Sequence, residues 1–172
     1  MSDFDPRTLS APEPLGDRHD FSGFACGEPT LDDWLRRRAR SNQAAGASRT
    51  YVLAINDHVV GYYSIAAGAI AISEAPSRIR RNMPDPIPMA VLGRLAIDRS
   101  KQGRGLGRLL LRDAVLRTAQ AAQIIGMRGI LLHALSPSAK QFYEQAGFRE
   151  SPANPMLLMV SMQDVVAALR TQ

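Results

Sequence analysis

An α/β (α+β) fold is the expectation for this 172-residue chain, and three stretches carry it. Residues 91–97 are apolar but for Arg94 and lead through a short basic turn and a glycine-rich loop into a long segment of helical period, which makes a strand–loop–helix unit. Residues 51–55 and 59–65 are rich in β-branched and aromatic side chains and are separated only by Asn56, Asp57 and His58, the pattern of an antiparallel hairpin. Residues 129–135 form a nearly unbroken apolar run, as in a strand buried on both faces. The length suits one domain over residues 1–172.

Taken in order, residues 1–20 hold Pro6, Pro12 and Pro14 among several acids, and an irregular arm with one short extended piece is expected there. Thr30 is placed to cap the first helix, with Asp33 three residues on as in a capping box. Leu31, Trp34, Leu35 and Ala39 recur at helical spacing and form its core face. Arg36, Arg37 and Arg40 fall mainly on the other side; a charged helix face is ordinarily a solvated one, with RNA contact as the alternative. Residues 66–73 extend the second hairpin strand, with Gly68 as a bulge or bend. Arg78, Arg80 and Arg81 then lead into Pro84, Pro86 and Pro88. Alternate prolines remove ladder donors, so a loop or edge is expected there rather than a central strand.

Residues 89–98 form the central strand and residues 105–122 the helix after the glycine loop. Leu106, Leu110, Leu111, Ala114 and Val115 give that helix an apolar stripe. Ser136 is a natural N-cap, with Pro137 at the first helical position, and the short helix it opens ends at Gly147. Residues 156–162 read as the last strand and 163–170 as a closing helix.

The loop Gln102-Gly103-Arg104-Gly105-Leu106-Gly107 is the segment with chemistry in it. Alternating glycines let main-chain N–H groups approach an anion, and the helix behind adds its unpaired N–H groups and the positive end of its dipole. The dinucleotide pattern G-x-G-x-x-G fails because Arg108 stands at the third glycine, and no G-x-x-x-x-G-K-[ST] occurs. The loop resembles the acetyl-CoA pyrophosphate loop (Q/R-x-x-G-x-G/A) of the GNAT N-acetyltransferases. The segment from Ser136 to Phe148 is similar to that family's N-x-x-A-x-x-x-Y-x-x-x-G-F stretch, with Ser136 in place of asparagine.

The resemblance implies a GNAT fold: a central mixed, mostly antiparallel sheet flanked by helices, with acetyl-CoA in the splay between two parallel strands. It implies that main-chain groups of Leu95, Ala96 and Ile97 pair with the pantetheine arm. Gln102, Gly103, Arg104, Gly105, Leu106, Gly107 and Arg108 would hold the pyrophosphate, and Ser136, Ala139 and Phe142 would add contacts to the cofactor. Tyr143 is the candidate proton donor to the departing thiolate; the alternative is an aromatic packed under a short helix.

No glutamate lies in the central strand, where many members of the family carry a base. An α-amine, at pKa about 7.7–8.0, needs such a base less than a lysine at about 10.4. The net charge of +5 and pI near 10.0 disfavour cationic acceptors by like-charge repulsion. The basic residues are almost all arginine, with only Lys101 and Lys140 otherwise, a bias suited to phosphate and RNA or to a solvated basic surface.

The segments 24–35, 80–88 and 91–96, together with Phe142 and Tyr143, resemble the toxin branch of the family, the TacT-like acetyltransferases of type II toxin–antitoxin modules. That implies acetylation of the α-amine of aminoacyl-tRNA and inhibited translation. It also implies a ribbon-helix-helix antitoxin, a homodimer, and RNA contacts from Arg37, Arg40, Arg78, Arg80, Arg81 and Arg94. Acetylation of a small amine or a protein N-terminus, and a non-catalytic CoA-binding module, stay open beside it. One cysteine, Cys26, and three scattered histidines offer no metal site. No apolar run approaches a spanning length and no secretory signal is expected, so the expected location is the cytoplasm, without a membrane.

Overall fold

The computed structural model describes residues 5–170. In chain order the elements are β1 (Glu13–Pro14), α1 (Pro29–Arg37), α2 (Ala39–Ala44), β2 (Arg49–Ile55), β3 (His58–Ile70), α3 (Ser77–Arg80), β4 (Ile87–Ile97), α4 (Leu106–Ala121), β5 (Gly129–His133), α5 (Pro137–Gln145), β6 (Arg149–Glu150), β7 (Leu157–Ser161) and α6 (Met162–Arg170). They divide into two compact units, residues 5–65 with 94–114 and residues 66–93 with 115–170. β3, β4 and α4 contribute residues to both.

In the first unit the strand order is β1-β2-β3-β4. Asn56 and Asp57 both take positive φ, 50° and 66°, which builds a two-residue hairpin turn whose twist matches the strands. His58 is therefore not a loop residue but the first of β3, paired with Ile55. Leu53 pairs with Gly61 and Ala54 with Val59, so Val60 on β3 is the extra residue of a bulge, and Gly68 lies further along the same strand. The arm supplies β1, antiparallel to β2, which is the short extended piece expected of it. The expected residues 1–4 of the arm lie outside the described residues.

The start of α1 differs from expectation. Pro29, with φ already set for a helix, opens it behind Glu28, and Thr30 lies inside the first turn. Asp32 rather than Asp33 reaches back, its nearly buried carboxylate accepting from the Cys26 N–H at 2.9 Å. Leu35 and Ala39 are fully buried with Phe24, Val52, Tyr62 and Ala96, while Leu31 and Trp34 pack partly buried against them. Each large side chain so buried contributes about 1.5–3 kcal/mol. Tyr62 keeps its hydroxyl satisfied by donating to the Leu31 carbonyl at 2.7 Å.

The second unit has the order β3-β4-β5-β7-β6. β4 and β5 are parallel, and β7 is antiparallel to both β5 and β6. All five residues of β7 are buried. Ile79, Ile87, Met89, Leu131, Leu157 and Met159 form the core here. The proline stretch is corrected at both ends. Arg78 and Arg80 belong to the one-turn helix α3, and Pro88 lies inside β4 instead of in a loop. Pro88 is tolerated because it is the second residue of the strand, ahead of the parallel register that begins at Met89, and its carbonyl accepts from the Arg128 N–H at 2.8 Å. Ser136 caps α5 as expected, its hydroxyl accepting from the Ala139 N–H. At the far end the N–H groups of Gly147 and Phe148 bond back to the carbonyls of Glu144 and Tyr143, a Schellman closure.

Candidate active site

The glycine loop sits between the end of β4 and the start of α4. Gly103 and Gly105 take φ of +76° and +80°, and no heavy atom lies within 4 Å of the position a Cβ would occupy on either. Left-handed residues alternating with others turn successive N–H groups toward one concavity, and the first turn of α4 adds its own. A pyrophosphate fits such a cradle by charge and by the absence of side-chain bulk.

A side-chain framework that local sequence pattern does not reveal holds the loop in place. The Asp98 carboxylate accepts from the N–H of Ala25 at 3.0 Å and from the N–H and hydroxyl of Ser100 at 3.0 and 2.6 Å. Burial pushes the Asp98 carboxyl up, but the Ser100 hydroxyl and the N–H groups of Ala25 and Ser100 together hold it below the ordinary carboxylate value. The Gln102 amide donates to the Cys26 carbonyl at 2.8 Å and to the Ile97 carbonyl at 3.0 Å. Arg99 N–H donates to the Ala25 carbonyl at 2.8 Å. Residues 25–26 thus clamp the base of the loop. Cys26 itself is half-buried, and burial pushes its thiol up to about 11, so it stays protonated and unreactive at neutral pH.

The parallel register of β4 with β5 ends at Val91↔Leu131, although both strands continue. Beyond that pair the two strands share no further ladder partners. Of the three residues expected to pair with the pantetheine arm, Ala96 is buried and Leu95 and Ile97 are half-buried, with the Ile97 carbonyl already engaged by Gln102.

In the second unit α5 carries Ser136, Ala139, Phe142 and Tyr143. The Ser136 hydroxyl is committed to the cap. Tyr143 is 8% exposed, with Phe142 and Phe148 edge-on at ring separations of 5.0 and 5.8 Å. Burial pushes its phenol up to about 12, so it is neutral across the physiological range. Among the described residues nothing hydrogen-bonds its hydroxyl. A neutral donor in an apolar cage with its proton uncommitted is suited to stabilising charge that appears beside it.

The arginines expected to touch RNA are in different states. Arg37, Arg80 and Arg81 are exposed and make no ion pair among the described residues. Arg78 is paired through two nitrogens with Asp164, and Arg40 lies over the Phe21 ring at 4.4 Å while donating to the carbonyls of Gly16 and His19. Arg94 lies over the indole of Trp34 at 4.3 Å. Trp34, the sole tryptophan, was the available signal for that platform. Among the described residues no group of His, Cys, Asp and Glu is placed to hold a metal ion, and no helix is long and apolar enough to cross a membrane.

The family described as acetyltransferase (GNAT) domain matches residues 46–150. A tRNA-acetylating toxin of Mycobacterium tuberculosis is 50% identical over 160 residues, which cover 93% of this chain and 96% of that one. Among solved structures, AtaT complexed with acetyl-methionyl-tRNAfMet is similar with a TM-score of 0.86 at 28% identity, covering 94% and 99% of the two chains. A tyrosine-to-phenylalanine mutant of the AtaT toxin, bound to the C-terminus of the antitoxin AtaR and acetyl-CoA, is similar with a TM-score of 0.79 at 29% identity over 96% and 99%.

Proposed function

The chain belongs to the GNAT acetyltransferases, and from that premise we propose that it is a toxin that acetylates the α-amino group of aminoacyl-tRNA and so halts translation. The single observation that carries the acceptor is the 50% identity, over nearly the full length of both chains, to a tRNA-acetylating toxin. The similarity to AtaT complexed with acetyl-methionyl-tRNAfMet supports the same acceptor.

Acetyl-CoA, when bound, supplies the acetyl group as a thioester. The N–H groups of residues 102–108 would hold its pyrophosphate and the main chain of Leu95, Ala96 and Ile97 would align its arm, with Ser136, Ala139 and Phe142 as the further contacts that the family resemblance implies. No carboxylate in β4 serves as a base, so the amine must arrive uncharged, which an α-amine achieves in part at neutral pH. Tyr143 donates its hydroxyl hydrogen bond to the departing sulfur. At about 12 the phenol is a weaker acid than a thiol at about 8.5, so it shares its proton with the sulfur until the nitrogen's proton replaces it. The nitrogen loses one proton, the sulfur gains one, and the phenol ends as it began.

The reading extends to one catalytic domain over residues 1–172, in keeping with β3, β4 and α4 each contributing to both units. It extends to a ribbon-helix-helix antitoxin, supported by the antitoxin-bound AtaT structure, to a homodimer, and to the cytoplasm where charged tRNA is used. Exposed Ile124 and Ile125, 85% and 56% accessible beyond α4, supply apolar surface for a second copy. Adding the protein with acetyl-CoA to a cell-free translation reaction tests the function: synthesis stops with the wild type and continues with Tyr143→Phe. Continued synthesis with both would remove translation as the target.

A further inference from the structure

Arg94 is a half-buried charge beside the core of the first unit. Ala96, two residues on and therefore on the same face of β4, is 5% exposed and packs with Leu35 and Tyr62. The Arg94 guanidinium lies over the Trp34 indole at 4.3 Å, and Trp34 in turn stacks on Tyr62 at 6.0 Å with the rings 8° from parallel. Burial costs this cation enough to lower its pKa, and no acid compensates it. Among the described residues none of its N–H groups has a hydrogen-bond acceptor. A partly desolvated cation with neither an acid nor a protein acceptor beside it is one that an anionic ligand can stabilise.

We propose that Arg94, held over Trp34, binds the phosphodiester that joins the last two nucleotides of the charged tRNA and thereby places the amino group for transfer. The inference rests on aminoacyl-tRNA being the acceptor. Among the described residues no acceptor occupies its N–H groups, and a guanidinium presents them as a fork that matches two phosphate oxygens. Arg94 directly precedes the residues whose main chain aligns the donor arm. The acceptor group it holds must therefore lie close to the reacting amine, and that phosphodiester is the backbone phosphate nearest the aminoacyl ester. Arg37, Arg80 and Arg81 are exposed and have neither an aromatic platform among the described residues nor the burial.

The test is a cycle of two changes, one on each partner. Charged tRNA with that single phosphodiester replaced by a neutral methylphosphonate is compared with unmodified charged tRNA, using wild type, Arg94→Ala and Arg94→Lys. The wild type should lose kcat/KM about tenfold to a hundredfold on the methylphosphonate RNA. Arg94→Ala should lose as much on unmodified RNA and nothing further on the modified one, because the interaction is already gone. Arg94→Lys, which keeps the charge without the fork, should fall between. Acetyl-CoA binding by each variant reports whether it folds, and the wild-type arm needs no variant at all. Multiplicative losses from the two changes, or a wild type indifferent to the methylphosphonate, would overturn the proposal. A wild type that acetylates no charged tRNA would overturn the function beneath it instead.

Discussion

Tyr143 and its apolar cage make sharp demands on the pH behaviour of the protein. With the phenol near 12, its ionisation contributes no falling limb to the activity between about pH 6 and 9, and the rate should rise with the fraction of uncharged amine. A descending limb near pH 8 that disappears in Tyr143→Phe would contradict this. Removing the hydroxyl should lower kcat about 10²–10⁴-fold while leaving acetyl-CoA affinity unchanged, measured by steady-state kinetics and calorimetry. The same burial has a consequence for stability. The folded-state pKa lies above the unfolded value near 10, so the contribution is complete below about pH 10 and is lost as pH rises through about 12. Denaturant titrations should therefore show Tyr143→Phe losing less stability than the wild type over that alkaline window. The place of Tyr143 on α5 was legible in the sequence, through its spacing from Ser136 and Gly147; the phenyl cage around it was half legible, through Phe142 and Phe148.

The glycine loop is an element whose shape comes from two sources, and they differ in how far sequence reveals them. The positive φ of Gly103 and Gly105 is written locally, since only glycine adopts such values without strain, and the strand–loop–helix order follows from the flanking periods. The framework is not local: Ala25 bonds to Asp98 across 73 residues and Cys26 to Gln102 across 76, separations at which no periodicity or turn rule operates. The start of α1 was missed for a related reason, since Thr30 has the chemistry of a cap while the fixed φ of Pro29 and the long-range burial of Asp32 decide the boundary. Gln102→Ala should raise KM for acetyl-CoA several-fold with kcat nearly unchanged. Gln102→Arg, which restores donors to the two carbonyls, should recover most of it. Equal KM values for Ala and wild type would show that the Gln102 bonds do not shape the cradle.

Over the whole molecule, the mixed sheet was legible because strands buried on both faces and hairpin strands differ in pattern. Pro88 within β4 was not, since its tolerance depends on where the β4–β5 register begins. The basic charge was legible as a total and illegible as a map. Arg78 already neutralises Asp164, Arg40 braces main-chain carbonyls, and Arg37, Arg80 and Arg81 remain exposed. Reversing Arg37, Arg80 and Arg81 together to Glu should weaken charged-tRNA binding and flatten its dependence on salt, with stability little changed. Arg78→Glu should instead destabilise, since it places like charge beside Asp164. An unchanged salt slope in the triple variant would take those residues out of the RNA surface.

The proposed acceptor is the α-amine of an amino acid esterified to tRNA. Its most direct test is the mass of that amino acid after purified protein, acetyl-CoA and a mixture of charged tRNAs have reacted. The product should be an aminoacyl-adenosine heavier by one acetyl group at the α-nitrogen, formed by the wild type and absent with Tyr143→Phe. Charged tRNAs that all return unmodified, while a free amine or a peptide N-terminus in the same mixture gains the acetyl group, would contradict it.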